Sequence, residues 1–184
     1  SATATEMSIF SNESKVGFSS ATDGLIAIGY FNTGVDVQAE ADGIIDASSL
    51  TTFLGQFNEL HTSDFSKVLA PGFITTGESV AAGSSEGKTA YLLTLDVADW
   101  NNRNSASEIG LFTDTSIGNF PTSSAPPVLW DITSLTYDSV ILGTETLASE
   151  IGIPGMTGNI YATQAIGQAV PEPSTYALFL GIFS

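Results

Sequence analysis

The sequence predicts a mainly β protein: an antiparallel β-sandwich, jelly-roll-like, with one short amphipathic helix and a C-terminal apolar helical tail. Three observations carry this reading. Short apolar or alternating runs recur along the chain, each bounded by clusters of Gly, Pro, Asn, Asp and Ser, the pattern of strands joined by turns. Several such runs are short and follow one another along most of the chain, as suits a sandwich or barrel-like closure. Helical periodicity is confined to one stretch.

Glu6–Ser11 opens with partial alternation and is read as a first strand. Leu25–Phe31 is a bounded apolar run between the turn pair Asp23-Gly24 and Asn32-Thr33-Gly34. Leu50, Phe53, Leu54, Phe57 and Leu60 then recur at the spacing of one helix face, with Ser48 or Ser49 as N-cap. This predicts a helix over roughly 49–60 lying across an open end or edge of the sheets, its Phe53/Phe57 stripe serving core packing. Thr89–Val97 is the strongest strand candidate and is expected to be central. After a polar loop at 99–107 comes Glu108–Thr113, then an irregular stretch at 114–127. Val128–Ile132, Ser139–Thr144 and Asn159–Thr163 complete the strands. With 184 residues and no internal repeat or composition break, the chain divides into one β-rich body, 1–166, and an appendage, 167–184.

Twenty acidic residues oppose Lys15, Lys67, Lys88 and Arg103, giving a net charge of −16. That balance excludes nucleic-acid binding through a basic patch, which needs clustered Lys and Arg. It equally excludes attraction to an anionic lipid surface. Since 42% of residues are hydrophobic, the acidity is not that of a disordered chain and fits colloidal solubility in a salty medium. Without cysteine there is no disulfide framework, thiolate metal site or Cys nucleophile.

No enzyme chemistry is expected. The single histidine, His61, lies beside Glu59 and Asp64, and a helix C-terminus is the assigned place for it, where its charge complements the dipole. A Ser-His-Asp arrangement also needs a serine on a strained turn, and the reading finds no Gly-x-Ser-x-Gly elbow; one His without Cys makes no zinc site. Carboxylates at Asp96, Asp99 and Glu108 are too ordinary in so acidic a chain to imply a glycosidase pair. Calcium is the better reading of the acidic loops, because closely spaced Asp and Asn oxygens are what it requires. Asp96, Asp99, Asn101, Asn102 and Asn104 form the densest cluster, though Arg103 breaks EF-hand spacing. Trp100, Tyr30 or Tyr161 stacking on a pyranose is a further reading, with exopolysaccharide as the partner.

The ending is the most distinctive feature. Pro171-Glu172-Pro173 is a stiff extended elbow; Ser174 and Thr175 can cap a helix, and the residues that follow are apolar on every face. Val170–Leu178 resembles the PEP-CTERM sorting signal of exosortase-processed bacterial surface proteins, in which the motif precedes a transmembrane helix and a short basic tail. The resemblance implies export, to the cell surface or outside the cell. The start Ser1-Ala2-Thr3-Ala4 is compatible with a signal-peptidase stub. As a helix the apolar run to Ser184 spans about 15 Å, half a hydrocarbon core, so membrane contact is expected only through this tail in a chain extending beyond Ser184.

Tyr176, Leu178, Phe179, Leu180, Ile182 and Phe183 therefore need cover from a protein or lipid partner. The leading expectation is a structural cell-surface or matrix protein, a homopolymeric filament subunit joined through its termini, with residues 5–11 as a second connector by strand addition. The alternative is a monomeric surface-anchored module for exopolysaccharide or calcium.

Overall fold

Leu25–Phe31 is buried along its whole length, and the molecule is organised around that run. A computed structural model describes residues 9–10, 24–64, 77–78, 83–114, 119–120, 130–131, 139–147 and 159–167. In chain order they form β1 (Ile9–Phe10), β2 (Leu25–Phe31), α1 (Val37–Asp42), α2 (Ala47–Leu54), β3 (Phe57–Asp64), β4 (Gly77–Glu78), β5 (Tyr91–Leu95), a 3-10 helix (Trp100–Ser105), β6 (Glu108–Thr113), β7 (Trp130–Asp131), β8 (Ser139–Leu142), β9 (Thr144–Leu147), β10 (Asn159–Ala162) and β11 (Gln164–Ala165). The protein is mainly β and its large sheet is antiparallel, as the sequence predicts.

That sheet runs β11-β6-β5-β2-β3. The far edge of β6 is shared: β11 pairs with its first two residues and β8 with its last three. Strand β5 is central, as expected of the strongest candidate. Leu25, Ala27, Leu93, Leu95, Ile109, Leu111 and Leu142 point to one face, where Leu50, Phe53 and Leu54 of α2 cover them. The opposite-facing Ile26, Leu92 and Phe112 are also buried. Cover on both faces explains why these strands read as continuous apolar runs rather than alternations.

A second sheet has the order β1-β10-β9. Two chain segments cross between the sheets side by side. β8 leaves the large sheet at Gly143 and continues as β9, while β10 enters it through Thr163 and continues as β11. Gly143 adopts φ +107, which favours glycine, and its N–H donates to Gln164 Oε1 at 3.0 Å. Buried Thr163 donates its hydroxyl to Glu108. Such corners are how strands change sheets in two-layer β folds.

The helix predicted over 49–60 needs correction. α2 starts at Ala47 with Asp46, not Ser48 or Ser49, as N-cap. Ser49 is the reciprocal partner: its N–H donates to Asp46 Oδ1 at 2.8 Å and its hydroxyl oxygen accepts from Asp46 N at 3.0 Å, a capping box. These bonds, the Ser49 backbone donor first, hold the Asp46 carboxyl below its ordinary range. The helix stops at Leu54, and seven of the eight residues 57–64 pair with β2, Leu60 being skipped. That pairing covers an otherwise open edge of β2, outweighing the helical spacing of Phe57 and Leu60. The Phe53/Phe57 stripe nonetheless packs in the core, as expected, with Phe31 at 4.9 and 5.2 Å from the two rings.

Candidate functional site

The sequence-nominated residues are placed as follows. Asp96 Oδ1 accepts the N–H groups of Ser107 and Glu108, each at 2.8 Å, and Ser107 Oγ donates to Oδ2. Asp99 caps the 3-10 helix, accepting from Asn101 N at 2.8 Å, Asn102 N at 3.3 Å and Asn102 Nδ2 at 2.9 Å. Both carboxylates thus staple their own loop, which is where Asp beside Asn most often serves. Asn101 and Asn104 are exposed on the 3-10 helix. Among the described residues no group of three or more His, Asp or Glu is arranged to hold a metal.

Of the proposed sugar platforms, the two tyrosines are corrected. Trp100 is half-buried, leaning on Phe57 at 5.9 Å with the Arg103 guanidinium over its ring at 4.9 Å. Tyr30 and Tyr161 are buried, Tyr30 donating to Ser84 Oγ at 2.7 Å and Tyr161 packing on Phe112 at 5.3 Å. His61 is corrected too: it lies within β3, opposite Ile28, rather than at a helix end. The reading that no Gly-x-Ser-x-Gly elbow appears is also corrected: Gly83-Ser84-Ser85-Glu86-Gly87 has that spacing. Its Ser85 is buried in a run of turns that β5, not a helix, follows; an elbow exposes its serine at a strand-to-helix turn. Pro171, Glu172, Pro173, Tyr176, Leu178, Phe179, Leu180, Ile182 and Phe183 lie outside the described residues.

Among the described residues a cleft of about 300 Å³ lies at the end of β2. Phe31, the Asn32–Thr33 turn, Val35 and Val37 form one wall; Gly87, Lys88, Thr89 and Tyr91 form the other. Each wall turns at a left-handed glycine, Gly34 at φ +87 and Gly87 at φ +66. The second wall is tied down by Gly87 N to Phe120 O at 3.0 Å and Phe120 N to Lys88 O at 2.9 Å. Lys88 Nζ donates across the cleft to Thr33 Oγ1. Lys88 and Tyr91 are the only ionisable groups in this lining, which sets apolar side chains and threonine hydroxyls beside one cation.

Burial raises the Tyr91 phenol above its ordinary 10.0. A group whose folded-state pKa is raised contributes stability that is complete below its unfolded value and lost as pH rises through the folded one. Tyr91→Phe is therefore expected to lose less stability than the parent chain above about pH 10, as denaturant melts across that range check.

Comparison with protein-family models, curated proteins and solved structures returns no match.

Proposed function

We propose that this chain is an exported structural protein of the cell surface or extracellular matrix, a homopolymeric filament subunit that assembles through its terminal segments. The observation that carries the reading is the ending: a Pro-Glu-Pro elbow followed by residues apolar on every face, which water does not tolerate uncovered. Burying Leu178, Phe179, Leu180, Ile182 and Phe183 in a neighbour contributes on the order of 1.5–3 kcal/mol each before ordering costs. A tail docked into the next body repeats as an open polymer when the rotation does not close. The β-rich body is the rigid part of this subunit, a two-layer sandwich in this reading, with the crossover at Gly143 and Thr163 as its corner.

The N-terminal connector has indirect support. Ile9 and Phe10 pair in parallel with Tyr161 and Ala162 at the edge of the second sheet. Two residue pairs are a short attachment, and a neighbour's copy of β1 would make the same ones.

Deleting residues 174–184 tests the tail. Negative-stain images and sedimentation of the full chain are expected to show fibres, and the deletion variant to stay a single particle. A deletion variant that assembles like its parent removes the tail from this role; a full chain that remains a lone particle overturns the filament reading.

A further inference from the structure

We infer that the cleft between the Asn32–Gly34 turn and Gly87–Tyr91 receives Val170-Pro171-Glu172-Pro173 of a second copy, with Glu172 paired to Lys88 across the junction. The inference rests on the filament reading and names its docking site.

Charge is the first argument. With 20 acidic residues against four basic ones, a lysine at a cleft is the exception on this surface. Lys88 meets a hydroxyl, Thr33 Oγ1, and among the described residues no carboxylate pairs with it. An ammonium has three donors, so a carboxylate can be added without displacing Thr33. The Tyr91 side chain adds a phenol hydroxyl to the same lining.

Backbone chemistry is the second. Pro171 and Pro173 have no N–H and favour φ near −65°, so the sequence favours polyproline II over a regular strand, which would have to turn both prolines away from its partner. Polyproline II needs little further ordering and docks in clefts with an aromatic wall. In such a helix, with three residues per turn, Val170 and Pro173 would share one edge, about 9 Å apart, and Glu172 would lie on another. The apolar edge fits Val35, Val37, Phe31 and Tyr91, and the acidic edge fits Lys88. A volume of about 300 Å³ sits at the bottom of the ligand-pocket range and suits one such turn rather than a long chain.

The test uses full-length chains. Lys88→Glu and Glu172→Lys are each expected to raise the concentration needed for assembly about tenfold, because attraction becomes repulsion. An equimolar mixture of the two is expected to restore assembly. Each tail then finds a cleft of opposite charge on the other variant, Glu172 on Lys88 at one junction and the swapped pair at the next. Docking within one chain predicts no rescue by mixing, so failure of the mixture overturns the inference, as does parent-like assembly by either single variant. Both results leave the filament reading standing.

A second arm stands apart from assembly. A labelled peptide covering residues 169–176, titrated into full-length chain below its assembly concentration, is expected to bind and to bind Lys88→Glu about tenfold more weakly. Such binding with a parent that never forms fibres sustains the cleft while the filament reading falls. No binding by the peptide, with Lys88-dependent binding of a galacturonate oligomer instead, overturns the inference in favour of an anionic sugar.

Discussion

Replacing Gly29 with alanine is expected to lower the unfolding midpoint by about 6–12 °C. A Cβ at Gly29 would meet the Phe57 ring at 2.6 Å and the Asn58 carbonyl oxygen closer still. Side-chain clashes relax by rotation, but this one includes the backbone of the paired strand. The site has little slack, because the β2–β3 register shifts there: Ile28 lies opposite His61 and Gly29 opposite Glu59, leaving Leu60 as a bulge. Phe57 is held in turn by Phe31 at 5.2 Å and Trp100 at 5.9 Å. Overpacking a rigid core costs about 1–3 kcal/mol; with backbone involved we take about 3, converted at roughly 2–4 °C per kcal/mol for this chain length. Gly83→Ala is the control, since a Cβ there meets nothing within 4 Å. Thermal melts followed by circular dichroism decide it, and equal midpoints for the two variants would refute the packing argument.

The same neighbourhood shows what was legible in the sequence. β2 and β6 have the residue bounds their apolar runs predict, and β5 lies inside the predicted 89–97. These strands are buried on both faces, so hydrophobicity alone outlines them. β3 was hidden because Phe57 continues the i, i+3, i+4 series of α2, and only pairing with β2 reveals that the chain has turned at Gly55–Gln56. α1 was missed because six residues are too few for a periodic pattern, although Asp36 caps it in the ordinary way, accepting from Ala39 N at 3.1 Å. β11 has two residues and takes its identity from β6.

The cleft was less legible than the fold. Thr33 and Lys88 lie 55 positions apart, and no spacing rule joins them; the pairing of β2 with β5 does. Two local signals existed, a glycine turn on each side and a lone cation in an acidic chain. The Asp/Asn cluster drew attention instead because capping and cation binding use the same oxygens. Which of the two holds depends on where those oxygens point.

The second large effect is expected at Phe112, and it takes the form of a coupling. Phe112 is fully buried, its ring 5.3 Å from that of Tyr161. One glycine makes room for it: a Cβ at Gly110 would meet ring carbons at 2.9 Å, whereas one at Gly143 would meet the Ala162 carbonyl oxygen at 2.3 Å and touch the ring only at 3.4 Å. Phe112→Ala is expected to cost about 3–5 kcal/mol through lost burial and the cavity left behind. Gly110→Ala alone is expected to cost about 1–3 kcal/mol by pushing on the ring. Together they should cost less than their sum by about 1–2 kcal/mol, because the new methyl then enters vacated space and alanine suits a strand better than glycine. A double-mutant cycle by urea denaturation measures this directly. Simple additivity would show that the glycine is not there for the ring. A clear coupling would establish that Gly110 and Phe112 were fitted to each other where β6 meets the crossover strands, the place on which the junction between the two sheets depends.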